Sequence, residues 1–314
     1  MLEPQRRWTM LQPLVVLVTG DRDEELLRAA DTLRVALPNV TVRAQVHAGQ
    51  SLREASANSH LVVDIAEQER PAQNRDLVDA TVCSPFDLER FIRRVRDVDR
   101  RRSCHELPPD LPPSITPWSP SWGYAAQRLG ARVAHALTRC GLTPCVDHIG
   151  STAVPGLPAK EIIDLQVSLA RLDDFDEADL ALRSAGFVNV QRIVPDAPGV
   201  RSDNPRGRCA DRDQWEKRLY AGVDDTQRTI VHVRRVGAAN WRYALLFRDW
   251  LRSNDDRRDA YARVKEDLAT EHRHDTNFDA YARAKDSWFD SAYNEAEAWA
   301  QTTGWDPDSV GSER

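Results

Sequence analysis

The chain has 314 residues, 41% hydrophobic and 29% charged, the composition of a globular protein long enough for two domains. Its 43 lysines and arginines against 49 aspartates and glutamates leave a net charge of −6, which excludes a bulk electrostatic drive toward nucleic acid or an anionic membrane. No run approaches the roughly 20 apolar residues that span a bilayer, and the five cysteines lack the close pairing of a structural zinc site, so they read as free thiols in a reducing cytoplasm.

From the N-terminus, Arg6 and Arg7 precede a short apolar run, Leu14 to Val18, that closes in Gly20-Asp21-Arg22. Without a small-residue cleavage site this predicts a buried strand, Leu14 to Thr19, rather than a signal peptide. Asp23 to Leu37 has a helical pattern with Asp21 placed to cap it. Val40, Val42, Ala44 and Val46 share one face of a second strand, Ser51 to Ala57 reads as helix, and Leu61 to Ile65 as a further apolar strand. Phe86 to Arg101 predicts a helix with Ser84 as cap and Pro85 at its first position. Alternating strands and helices predict a small α/β domain with a parallel sheet over residues 1–102. A phosphate loop of the Gly-x-x-x-x-Gly-Lys-Ser/Thr type is missing: Gly20 is followed by Asp21-Arg22-Asp23-Glu24-Glu25, whose carboxylates repel phosphate.

Six prolines (108, 109, 112, 113, 117 and 120) fall between Ser103 and Ser121. They predict a stiff extended connector, assigned to residues 103–114, ahead of a second domain over 115–314. That domain opens with a helix, Trp122 to Cys140. A strand bearing His148 then runs into Gly150-Ser151, where backbone amides can approach an anion if a helix starts at Ser151 or Thr152.

Lys160 precedes a strand in which Ile163, Leu165, Val167 and Leu169 face one way and Asp164, Gln166 and Ser168 the other. Asp176 to Ala185 reads as a helix ending at Gly186, and Phe187 to Ile193 as a strand. Pro195 to Asp213 is an aperiodic, arginine-bearing loop and a candidate lid. Lys217 to Ala221 and Thr229 to Arg235 form two strands joined by a turn over Gly222 to Gln227. In the second of them His232 shares a face with Ile230 and Arg234, opposite Val231 and Val233. Asn240 is placed to cap a helix carrying Tyr243, Leu246, Phe247, Trp250 and Leu251 on one face. The remainder reads as helical; YARVK at Tyr261 and YARAK at Tyr281 are an echo attributable to helical composition.

The order HIGSTAVPGL, an Ala-Lys pair, an Ile-Asp-Leu strand, Trp215-Glu216-Lys217-Arg218, Val231-His232-Val233, WRYALLFRDWLR, YARAKDSWF and Trp305 closely resembles the core of the GrpB (UPF0157) family. The resemblance runs from about Ile115 to Trp305. It implies a nucleotidyltransferase-like fold, with a mixed sheet flanked by helices. PLVVLVTGDRDEELLR, LVVDIAEQ and SPFDLERFIRRVRDV resemble the C-terminal part of a dephospho-CoA kinase, as in bacterial chains that fuse that kinase to a GrpB domain. Without the phosphate loop, the N-terminal half reads as a truncated or decayed kinase segment.

Nucleotidyltransferase-type chemistry needs a Gly-Ser turn for phosphate and two or three carboxylates for Mg2+ or Mn2+. On such a fold the phosphate or nucleotide binders are Gly150, Ser151 and Thr152 of the turn and Lys160, Lys217 and Arg218, which flank strands leading into the cleft, with His148 and Gln166 supporting them. The resemblance places Asp164 as the catalytic carboxylate and metal ligand, and His232 as general base, metal ligand or phosphate donor. Gln166 stands where a second carboxylate is usual, so the metal set is reduced. The expectations are therefore a nucleotide or phosphate ligand, taken with Mg2+ or Mn2+, or else an accessory module serving a dephospho-CoA kinase in coenzyme A biosynthesis.

Overall fold

The structure, a computed structural model, describes residues 11–46, 49–66, 77–172, 176–207 and 209–307. In the first half, apolar β-branched runs form β1 (Val15–Gly20), β2 (Thr41–Val46), β3 (Leu61–Ile65) and β4 (Ala80–Val82). They make a four-stranded sheet of order β2-β1-β3-β4, parallel throughout as alternating β and α elements require. The connections include α1 (Asp23–Ala36) and α2 (Gly49–Ala57), and α3 (Pro85–Cys104) follows β4. Ser84 caps α3, accepting from the Asp87 amide, with Pro85 at the first position as read. The cap position of α1 is Arg22 rather than Asp21, and the Arg22 side chain makes no capping hydrogen bond. α3 also runs through Ser103 and Cys104, shortening the predicted connector, and ends on His105 in a left-handed conformation.

The second half is built on α4 (Ser121–Thr138), β5 (Cys145–Ile149), β6 (Ile162–Leu169), α5 (Asp176–Ser184), β7 (Phe187–Asn189) and α6 (Val190–Ile193). β8 (Arg218–Gly222), β9 (Arg228–Arg235), α7 (Ala239–Arg252), α8 (Asp255–Glu271), α9 (Asp279–Ala284) and α10 (Asp286–Thr303) complete it. The sheet order is β5-β6-β9-β8-β7, with β6 and β9 parallel and the other pairs antiparallel. Ile163, Leu165, Val167, Val231 and Val233 bury their shared face under Leu129, Val133 and Leu137 of α4 and Leu182 of α5. α7 packs on the opposite face, where the Trp241 indole donates to Ser168 Oγ at 2.9 Å. Among the described residues no helix is long and apolar enough to cross a membrane.

Two local readings change. Phe187 to Ile193 is not one strand: Asn189 accepts from the Gln191 amide at 2.9 Å and caps a single helical turn, so β7 stops there. Asn240 is not the cap of α7. It lies inside the first turn and donates to Asp203 Oδ2 (3.1 Å) and the Glu216 carbonyl (3.0 Å), while Ala238 holds the cap position.

The halves pack closely. Val188 and Val223 join the apolar cluster of Val16, Leu33, Val63 and Phe91. Arg94 of α3 clamps Asp224 with contacts of 2.6 to 3.1 Å, both side chains no more than 10% exposed. Arg101 reaches the Val223 carbonyl and Asp225, and Arg128 of α4 pairs with Asp79 at 3.1 Å. Arg94 and Arg101 of α3 are thus spent on this junction.

Candidate functional site

The site forms where β5 delivers the Gly-Ser turn beside β6. Ile149 pairs with Asp164 in the ladder, so Gly150 lies against the Asp164 side chain. Gly150 has φ 72° and ψ −168°, a glycine conformation, and a Cβ there would stand 2.6 Å from Asp164 Oδ2. The Ser151–Ala153 segment that follows is a single 3-10 turn. It is too short to supply a helix dipole, so any field attracting an anion to this turn comes mainly from nearby cations. Thr152 is 3% exposed and structural: its hydroxyl donates to the Ile162 carbonyl (3.3 Å) and accepts from His148 Nε2 (2.9 Å). Burial pulls His148 down to about 4, so it is neutral at pH 7 and orients the turn.

Register brings His232 to Asp164. Gln166 pairs with His232 across β6 and β9, and His232 Nε2 lies 3.4 Å from Asp164 Oδ1. The other ring nitrogen, Nδ1, faces two donors, Arg234 Nη2 at 3.4 Å and Lys217 Nζ at 3.5 Å. Only an unprotonated Nδ1 can accept from them, so the proton sits on Nε2 and points at Asp164. Burial, then Lys217 and Arg234, press His232 down to about 4. A neutral imidazole with both nitrogens engaged is a positioning residue for Asp164 rather than a free general base.

Behind this pair a closed network fixes the cations that the sequence offers. Gln166 is fully buried, accepts from Arg234 Nη1 (2.7 Å) and donates to the Trp241 carbonyl (3.2 Å). Asp203, from the loop read as a lid, receives Lys217 Nζ (2.6 Å) and Arg234 Nε (3.0 Å). Burial alone would raise Asp203, but Arg234 and Lys217 hold it well below the usual carboxylate range. The loop is strapped down further by Arg206, which pairs with Asp286 and Asp290, both at 2.6 Å.

The donor set does not fit a resident Mg2+ or Mn2+. Such ions want several oxygen ligands, whereas Asp164 stands alone with a histidine and lysines around it and Gln166 is turned to Arg234. Among the described residues no group of three His, Cys, Asp or Glu side chains is placed to hold a metal.

The open wall of the site comes from the C-terminal helices. The Tyr-x-x-x-Lys echo is spatial, not incidental: at spacing i, i+4, Tyr261 with Lys265 and Tyr281 with Lys285 present ring and ammonium on one helix side. Lys265 Nζ lies 4.8 Å from the Tyr261 ring centre, and Lys285 Nζ 4.6 Å from that of Tyr281. Lys160 Nζ rests 3.6 Å over Phe278 and 5.0 Å from the same Tyr281 ring. The Tyr261 hydroxyl meets Ser151.

Lys265 is 1% exposed and donates to the Pro158 carbonyl; among the described residues Lys160 and Lys285 have no ion-pair partner. Burial first, then Lys285, lowers Lys160 to about 7; burial, then Lys285 and Lys160, lowers Lys265 to about 6. Lys285 falls to about 8 through burial, with Asp164 opposing the shift. Lys160 and Lys285 therefore crowd beside one carboxylate, Asp164, with Lys265 next to them. A separate cleft of about 650 Å3, between residues 115–118 and α8, shares none of its lining with Asp164, His232 or these lysines.

The family model described as GrpB protein matches residues 112–295. The chain belongs to the GrpB family. The motif order from HIGSTAVPGL to WRYALLFRDWLR lies within that match. Over 308 residues this GrpB chain is 33% identical to a protein named dephospho-CoA kinase from Mycolicibacterium paratuberculosis, covering 95% of the chain and 70% of that protein. It is 35% identical over 156 residues to a UPF0157 protein of Halalkalibacterium halodurans, covering 50% of this chain and 69% of the relative. A solved GrpB protein from Enterococcus faecalis overlies 59% of this chain and 99% of its own at 22% identity and a TM-score of 0.46.

Of the residues singled out in the sequence, Gly150, Ser151, Lys160, Asp164 and His232 converge on one side of the sheet. His148, Thr152, Gln166 and Lys217 stand behind them, satisfied by protein partners. Arg218 is not brought there: it pairs with Glu216 (2.6 Å), reaches the Leu172 carbonyl and acts on core-facing Tyr220. Sequence reasoning missed Asp203, Arg234, Lys265 and Lys285. The repeated Tyr-x-x-x-Lys was the available signal for the last two; Asp203 sits in an aperiodic loop and had none.

Proposed function

We propose that this GrpB domain binds a phosphate-bearing small molecule, a nucleotide or a phosphorylated coenzyme A precursor, in the cleft floored by Ser151 and Asp164 and walled by Lys160 and Lys285. One observation carries this reading: two half-buried ammonium groups share the Tyr281 ring without an ion-pair partner, beside a single carboxylate. Holding lysines with depressed pKa values costs stability at neutral pH, and a bound polyanion would offset that cost. The mixed sheet, the Gly-Ser turn and the strand carboxylate support a nucleotidyltransferase-like assignment of the domain. Mg2+ or Mn2+ would then arrive with the ligand's phosphates.

The test is a thermal-shift and calorimetric screen of nucleotides, pyrophosphate and phosphorylated coenzyme A precursors, with and without Mg2+ or Mn2+. Binding lost in Lys160→Ala and Lys285→Ala supports the reading; no stabilisation by any of them overturns it.

A second reading has its own support, the likeness over 95% of the chain to mycobacterial proteins named dephospho-CoA kinase. In it the chain is a non-catalytic module that assists such a kinase. Co-purification with a dephospho-CoA kinase that survives Asp164→Ala and Lys285→Ala, together with a blank ligand screen, would favour this role.

A further inference from the structure

A second basic cavity lies at the junction of the two halves. It is a crevice of about 230 Å3 framed by β2, the turn into β3, α4 and the end of α5. Its lining includes Arg43, Arg132, Arg139, His60 and His135, with no aspartate or glutamate among the described residues. Arg132 is 7% exposed; its Nη1 donates to the His60 carbonyl and its guanidinium lies 4.8 Å from the Phe187 ring centre.

Arg132 Nε and His135 Nε2 are buried with no hydrogen-bond partner among the described residues. Asp79, the carboxylate acting most strongly on Arg132, is already committed to Arg128 (3.1 Å) and the Val62 amide (2.7 Å). An unsatisfied guanidinium donor beside a cavity whose described lining carries no carboxylate calls for an acceptor that the described residues do not supply. The volume is below the roughly 300–1,000 Å3 of pockets for drug-sized ligands, so the occupant is a compact oxyanion rather than a whole nucleotide.

We infer that this crevice is a second anion site, taking a phosphate or carboxylate group and tying the parallel-sheet half to the GrpB half. Arg132 is the buried anchor and Arg43 the exposed rim contact. The site shares no residue with the Asp164 cleft.

The experiment is calorimetry with inorganic pyrophosphate and, in a separate arm, a short dicarboxylate, on the full chain carrying Lys160→Ala and Lys285→Ala. One binding event is expected to persist. Arg43→Ala, a surface change that leaves the core untouched, should weaken it about tenfold, the loss of one charge-assisted contact. Arg132→Gln should abolish it; if that protein does not fold, Arg43→Glu replaces it and should also abolish binding. The arm that binds identifies the oxyanion class.

No binding to the double lysine variant, or binding indifferent to Arg43→Glu and Arg132→Gln, overturns the inference. The proposed cleft function is judged separately. Pyrophosphate binding in the unmodified chain that vanishes with the lysines supports the cleft and defeats the crevice. Binding that ignores the lysines and needs Arg132 does the reverse.

Discussion

Gly150 and Asp164 constrain each other more tightly than any other pair in the cleft. Gly150→Ala places a methyl group where the carboxylate stands, in a backbone region that alanine avoids. A loss of about 1–3 kcal/mol in denaturant unfolding is expected, together with weakened ligand binding. Asp164→Asn separates two roles. If the carboxylate only neighbours the lysines, removing its charge tightens metal-free pyrophosphate binding severalfold; if it holds a ligand-borne metal, binding of the Mg2+ complex weakens. Titration makes a further prediction. Lys160 and Lys285, lowered to about 7 and about 8, lose their charge as pH rises through those values. Anion affinity should fall across pH 7–9, and binding near pH 8 should take up protons, visible as heats that vary with buffer ionisation enthalpy. Asp164 and His232 were legible in the sequence because strand parity put each opposite a row of valines, leucines or isoleucines. Lys285 was not, since the charges it neighbours, Asp164 and Lys160, lie on β6 and the loop before it, more than a hundred residues away.

At the scale of elements, the helical wall explains why a repeated pentapeptide matters. Tyr261 is 2% exposed and stacks on Trp288 at 4.3 Å and 20°, so α8 and α10 meet ring to ring while Lys265 is held under them. Tyr261→Ala should cost about 3–5 kcal/mol of stability, as for other large buried aromatics. Tyr261→Phe keeps the ring and loses only the hydroxyl contact to Ser151, costing about 1 kcal/mol. Chemical denaturation of both variants checks the difference. Period-2 alternation foretold β6 and β9, and the Ser-Pro start foretold α3. The two misreadings have a local and a distant cause, each a polar side chain that bonds backbone or carboxylate instead of following the pattern. Asn189 ends β7 by capping, and Asn240 sits inside α7 because Asp203 and Glu216, from a distant loop, take its amide.

For the whole molecule, charged pairs buried between the halves are the points where a single substitution costs most, because each leaves an unpaired buried charge. Asp224→Ala leaves Arg94 without its carboxylate and should cost about 3–5 kcal/mol, read by thermal or urea unfolding. Acid should destabilise in two stages. His60, His148 and His232 are lowered to about 3, 4 and 4, so the unfolded chain binds their protons first. Their contribution is complete above about 6.5 and is lost as pH falls toward 4; Asp79 and Asp203, held low by arginines, add a second loss below about 4. A pH series of unfolding midpoints checks both.

By itself the sequence determined the α/β character of both halves and the family, and it singled out Asp164 and His232 as candidates, because periodicity and ordered motifs are local properties of the chain. Only the tertiary structure decided which cations are free. Lys217 and Arg234 are spent on Asp203, Arg94 and Arg128 on the junction, while Lys160 and Lys285 are left facing Asp164. Pairing between charges far apart in sequence is set by packing, and no local pattern records it.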